Sequence, residues 1–169
     1  KVISLAHITN VIGDIRPVKE ICEHANELGI LTLIDGAQSV PHMPVDVTDL
    51  NVSFLTFSAH KMCGPTGVGM LFMKEKWGNI LPPYQGGGEM IKEVTFEKTT
   101  YADLPHKFEA GTPNIAGGIA FGAAIDYLNG IDFNEIEKCE TELLQYATQS
   151  LLQIEGLKIY GTGTTKQQR

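Results

Sequence analysis

Cysteine is scarce in this chain, with three residues at no regular spacing among 169. An odd, unpatterned set does not make a disulfide framework, so we expect a reducing compartment, with a cytoplasmic location as the default and an organelle as the alternative. Metal-ligand spacing is missing too, since neither Cys-x-x-Cys nor His-Glu-x-x-His occurs. No apolar run approaches the roughly 18 to 20 residues that a membrane-spanning helix needs. Basic residues number 13 against 20 acidic ones, a net charge of -7 without a basic stripe, which argues against nucleic acid as the main partner. The run Gly64-Pro65-Thr66-Gly67 lacks the Lys-Ser or Lys-Thr pair of a phosphate-binding P-loop.

What is present is an ordinary globular composition, 43% hydrophobic and 20% charged, in a chain long enough to bury a core. Its most informative stretch is Phe54-Leu55-Thr56-Phe57-Ser58-Ala59-His60-Lys61, an apolar run that ends abruptly in polar residues. It reads as a buried strand delivering a lysine to the lip of a sheet, where open α/β sheets collect ligands. Upstream, Ile30-Leu31-Thr32-Leu33-Ile34 is a second apolar strand, and it ends in Asp35 followed by Gly36-Ala37-Gln38-Ser39. Two parallel strands ending in a carboxylate and an amine can hold opposite ends of one flat cofactor. Pyridoxal phosphate asks for those groups: an amine for its aldehyde, a carboxylate to keep its ring nitrogen protonated, and polar donors for its phosphate.

The pattern along the chain predicts a first strand over 2–7 and a loop over 8–13. A helix opens at Pro17 and carries Val18, Ile21, Cys22, Ala25 and Leu28 on one face before Gly29 stops it. Strands follow at 30–34 and 53–57, giving a parallel sheet. The segment 68–73 comes too soon after for a crossover helix, so it is expected to run antiparallel. Pro82 to Glu89 reads as an exposed loop, Thr112-Pro113 as the cap of a helix over 115–128, and 133–151 as a long amphipathic helix. Leu157 to Tyr160 reads as a strand, and 161–169 as a polar, mobile end.

Taken in order, Asp35-Gly36-Ala37-Gln38, Ser58-Ala59-His60-Lys61, Gly64-Pro65-Thr66-Gly67 and Phe108-Glu109-Ala110-Gly111-Thr112-Pro113-Asn114 resemble the class V aminotransferase family, and within it the SufS-like cysteine desulfurases and selenocysteine lyases. The resemblance runs from about Val2 to Gly161. It implies an α/β protein of the PLP-dependent transferase fold type I, aspartate aminotransferase-like, with a mainly parallel sheet and one antiparallel strand. Residues 1–130 would belong to the large cofactor-binding domain, and 131–169 to a long helix and the start of the small C-terminal domain. Members of the family are longer, so we expect an internal piece of such a protein.

The resemblance also implies roles. The cofactor is pyridoxal 5'-phosphate. Lys61 binds it and serves as acid and base at the substrate Cα, Asp35 pairs with the ring nitrogen, and Gln38 bonds the ring hydroxyl. Ser58 and His60 hold the phosphate, and Thr112 reaches the phosphate of a partner subunit, which makes a homodimer part of the site. Asn10 lies beside cofactor and substrate, or else is a turn residue bonding its own backbone. The implied reaction removes sulfur from L-cysteine, or selenium from L-selenocysteine, leaving L-alanine and a persulfide that a SufE- or SufU-like acceptor takes toward iron-sulfur clusters. The cysteine that attacks the substrate sulfur is expected outside this chain rather than at Cys63. One departure is Lys107, where close relatives are expected to carry arginine. Other readings are a kynureninase-like enzyme, an epimerase or an aminotransferase of the same class, or a non-catalytic PLP-binding or dimerisation module.

Overall fold

The computed structural model describes residues 1–161. The mobile end expected over 161–169 therefore lies, apart from Gly161, outside the described residues. Four strands, β1 (Val2–Ala6), β2 (Leu31–Asp35), β3 (Phe54–Ser58) and β4 (Gly69–Met73), form one sheet in that order. The first three run parallel, with Ala6 beside Asp35 and Asp35 beside Thr56. β4 pairs antiparallel with β3, as the short connection requires.

Helix α1 (Val18–Glu27) bridges β1 and β2, and its buried face of Val18, Cys22 and Ala25 is the predicted one. Pro17 precedes the first helical residue rather than being it. Val18 and Cys22 join Ile34, Val52 and Leu55 in a core at the sheet face. Fully removing such side chains from water contributes about 1.5–3 kcal/mol each. The connection between β2 and β3 is a series of turns, not a helix.

A second core joins Ala59 and Met62, on either side of Lys61, to Phe121, Ala124 and Leu128 of α3 (Ile115–Asn129). The small residues of α3 allow close approach: a Cβ on Gly117 would stand 2.4 Å from Val68. Thr112 is not the cap of this helix. Asn114 is, and its side chain accepts the Gly117 N–H at 2.9 Å. Helix α4 (Phe133–Leu151) follows with no fully buried residue.

Three elements depart from the sequence reading. A short helix α2 (Glu75–Ile80) follows β4, and strands β5 (Ile91–Val94) and β6 (Thr99–Tyr101) form a separate hairpin. Residues 157–160 form no strand, because a strand needs a neighbour and among the described residues none pairs with them. Lys107, the departure noted in the sequence, donates to the carbonyls of Gly78 (3.0 Å) and Asn79 (3.3 Å). It thereby satisfies acceptors near the end of α2, where a cation also suits the helix dipole.

Candidate active site

The lip of the sheet is built where β1, β2 and β3 end together. Ile34 and Leu55 point into the core, so by strand alternation Asp35 and Thr56 point to the opposite face, and Ser58 shares it. Asp35 is exposed, and its Oδ1 accepts the Ala37 N–H at 2.9 Å. The turn after it is fastened by Gly36 N–H to Thr56 C=O at 2.8 Å and by Ser39 and Val40 N–H to Gly36 C=O at 3.1 and 3.0 Å. The turn is closely packed at Gly36, where a Cβ would press Val40 at 3.0 Å and approach the Thr56 carbonyl at 3.4 Å.

Gln38 donates through Nε2 to Asn10 Oδ1, so two residues 28 apart in sequence meet across the lip. Asn10 sits in a turn closed by Gly13 N–H to Thr9 C=O at 3.1 Å and by Asp14 N–H to Thr9 Oγ1 at 2.9 Å. Asn10 is thus both a turn residue and a partner of Gln38. His7, the residue after β1, is 5% exposed with Nδ1 unbonded. Burial holds its pKa below the ordinary 6.5.

Past β3 the chain makes a single 3-10 turn, Ala59–Lys61, which carries His60 exposed and Lys61 half-buried. The buried Ala59 and Met62 clamp this turn to α3. Ala59 also accepts Met62 N–H at 2.8 Å and Gly64 N–H at 2.9 Å, closing the loop behind the lysine. Thr112 stands apart, exposed just before α3, and among the described residues no hydrogen bond joins it to the other candidates.

One pair was missed in the sequence: His42 Nδ1 lies 2.5 Å from Glu140 Oε1, tying the end of the Asp35 turn to α4. A cleft of about 270 Å³ opens beside it, lined by Asn10, Gln38, His42 and Glu140 among others. Helical periodicity places Glu140 near the apolar stripe of α4, but nothing local in the sequence names a partner 98 residues away.

The donor set suits a flat, anionic, aldehyde-bearing cofactor. Asp35 has one oxygen engaged and the other available, and the Lys61 amine makes no hydrogen bond or ion pair among the described residues. A family model, "Aminotransferase class-V", matches residues 1–169. The chain belongs to the class V aminotransferase family. A probable cysteine desulfurase of Halalkalibacterium halodurans is 50% identical over 161 residues, covering 95% of this chain and 40% of that protein. The apo structure of a cysteine desulfurase from Thermococcus onnurineus superposes with a TM-score of 0.92 at 34% identity, covering 99% of this chain and 42% of that one. The cysteine desulfurase CsdA from Escherichia coli, determined in an S-sulfonic acid form, gives 0.83 at 35% identity, covering 90% and 38%. This class V chain thus has the PLP-dependent transferase fold type I expected from its motifs, with the antiparallel β4 included. It spans about 40% of the length of the curated relatives it matches.

Proposed function

We propose that the protein carrying this class V chain is a PLP-dependent cysteine desulfurase of the SufS-like type. The observation that carries the reading is the juxtaposition of Asp35, at the end of β2, with Lys61, one turn past the end of the adjacent β3. It is supported by relatives 45% and 50% identical that are named as probable cysteine desulfurases.

When bound, pyridoxal phosphate supplies the electron sink that makes the substrate's Cα proton acidic. Asp35 holds a proton at the ring nitrogen, with the Ala37 amide orienting its carboxylate. Lys61 would hold the aldehyde and, from a turn fixed on both sides, would hold and move the proton at Cα. Gln38, steadied by Asn10, donates to the ring hydroxyl, while Ser58 and His60 offer donors to the phosphate. Thr112, exposed in the loop before α3, serves the phosphate bound by a second copy, which makes a homodimer part of the site. Residues 1–130 belong to the cofactor-binding domain, and 131–169 open a smaller one.

Desulfuration then breaks the C–S bond of L-cysteine as a protein thiol becomes a persulfide and L-alanine leaves. Within this chain no thiol takes that role. Cys22 is fully buried, Cys63 is exposed in the turn that follows Lys61, and Cys139 is exposed on α4. A SufE- or SufU-like protein receives the sulfur for iron-sulfur assembly, and L-selenocysteine is a second substrate.

The test is an absorbance spectrum of the chain with added pyridoxal phosphate, beside a Lys61→Ala variant. A near-ultraviolet-to-visible band that requires Lys61 supports the site, and L-cysteine turnover in the protein carrying the chain then tests the reaction. A chain, and a protein carrying it, that take up no cofactor through Lys61 would sink the assignment.

A further inference from the structure

We propose that Glu140 is a positioning residue for this site: through His42 it makes α4 the support that holds the turn presenting Asp35 and Gln38. The inference rests on the cofactor reading above for its functional sense, but its physical basis is independent of it. From Gly36 onward the turn is a ladder of short hydrogen bonds. Ser39 and Val40 donate to Gly36 C=O, and His42 and Met43 donate to Ser39 C=O at 3.0 and 2.9 Å. Ser39 is fully buried, so the ladder has a fixed middle. A restraint on His42 therefore reaches Gly36 and the Asp35 carboxylate with little slack.

The restraint is the bond to Glu140. Its side chain is 28% exposed, and Oε2 is shielded from solvent without a protein partner. A carboxylate so placed depends on the bond its other oxygen makes, since leaving it unmade costs more than a surface bond contributes. Helix α4 has no fully buried residue. A cross-link to the sheet's lip is then a larger share of what seats the helix than it would be in a deeply packed one. Asn10, Gln38, His42 and Glu140 line the same cleft, so a shift of α4 at Glu140 changes the space in which the Asn10–Gln38 pair sits. Supporting residues of this kind set whether a site is held to within the fraction of an ångström that binding needs.

The test uses Glu140→Ala and Glu140→Gln in the whole chain, the second keeping an acceptor oxygen for the His42 ring. Hydrogen exchange is read first without cofactor. Glu140→Ala should speed exchange of the Ser39, Val40, His42 and Met43 amides about tenfold while β3 keeps its protection, and Glu140→Gln should recover most of it. Titration with pyridoxal phosphate should then show about tenfold weaker uptake in Glu140→Ala, restored in Glu140→Gln. Unchanged exchange over 36–43, or loosening spread equally over β3, would overturn the inference. If the wild-type chain takes up no pyridoxal phosphate, the cofactor reading alone falls, and the exchange data still decide the role of Glu140.

Discussion

Replacing Gly64 by alanine should unseat the lysine without touching it. A Cβ at that position stands 2.9 Å from the Ala59 carbonyl oxygen, 3.1 Å from the Ala59 Cβ and 3.2 Å from its carbonyl carbon. Two of these neighbours are backbone, and Ala59 is fully buried against α3, so nothing nearby can swing aside. The crowded oxygen is also the one that accepts the Gly64 N–H. Overpacking costs about 1–3 kcal/mol and the strained hydrogen bond about 0.5–1.5. A total of roughly 2–4 kcal/mol lowers the melting temperature by about 5–15 °C in a chain of this size. Relief comes by opening the turn that carries Lys61, so uptake of pyridoxal phosphate should weaken as well. Circular-dichroism melts and the cofactor absorbance band read the two effects. Gly122→Ala is the control, because a Cβ there meets nothing within 4 Å and helix propensity favours it by about 1 kcal/mol. A Gly64→Ala chain that melts and takes up cofactor like wild type would show that the loop yields freely and that the clamp has no hold on Lys61.

Asp35→Asn keeps an oxygen for the Ala37 amide but loses the charge that protonates a ring nitrogen. Cofactor uptake and melting should survive while turnover in the protein carrying the chain falls at least about a hundredfold; unchanged turnover would remove Asp35 from the chemistry. Cys63 adopts a φ of 58°, a left-handed conformation that glycine takes without strain, so Cys63→Gly should leave stability unchanged or raise it by up to about 1 kcal/mol in denaturant titrations. Loss of sulfur transfer with cofactor uptake intact would instead make Cys63 the sulfur acceptor. The buried His7 has its folded pKa held below 6.5, so the unfolded chain binds the proton more readily. Its contribution to stability is complete above about pH 6.5 and is lost as the pH falls from there through the lower folded value. Denaturant titrations should show His7→Gln with a flatter profile in that window, and an identical pH dependence would refute the assignment.

The parallel strands were legible because each is an apolar run ended by a polar residue at the lip, and β4 because its connection is too short for a crossover. The positions of Asp35 and Lys61 at the lip were legible too, because Asp35 ends the β2 run and Lys61 follows the β3 run by one turn. The hairpin of β5 and β6 was not. Ile91-Lys92-Glu93-Val94 and Thr99-Thr100-Tyr101 are short and mostly exposed, so no buried face imprints an alternating pattern. Leu157 to Tyr160 shows such alternation, but pattern cannot supply a neighbour to pair with. Asn114 lost to Thr112 as a cap because both are good capping residues two positions apart, and only the backbone decides which faces the free amides. Glu140 was invisible since its partner lies far off in the chain.

The antiparallel turn from β3 to β4 should also order assembly in time. Lys61 lies in a loop whose stems pair with each other, Ser58 beside Gly69, so its place is set by a hairpin that closes over a short stretch of chain. Asp35 takes its place from β1 and β3, each reached only after a longer excursion. Loop closure is less costly over the shorter span, and local contacts form sooner. The amine should be mounted before the acid on the neighbouring strand, and pulse-labelled exchange during refolding should protect the Ala59 and Gly64 amides ahead of Gly36.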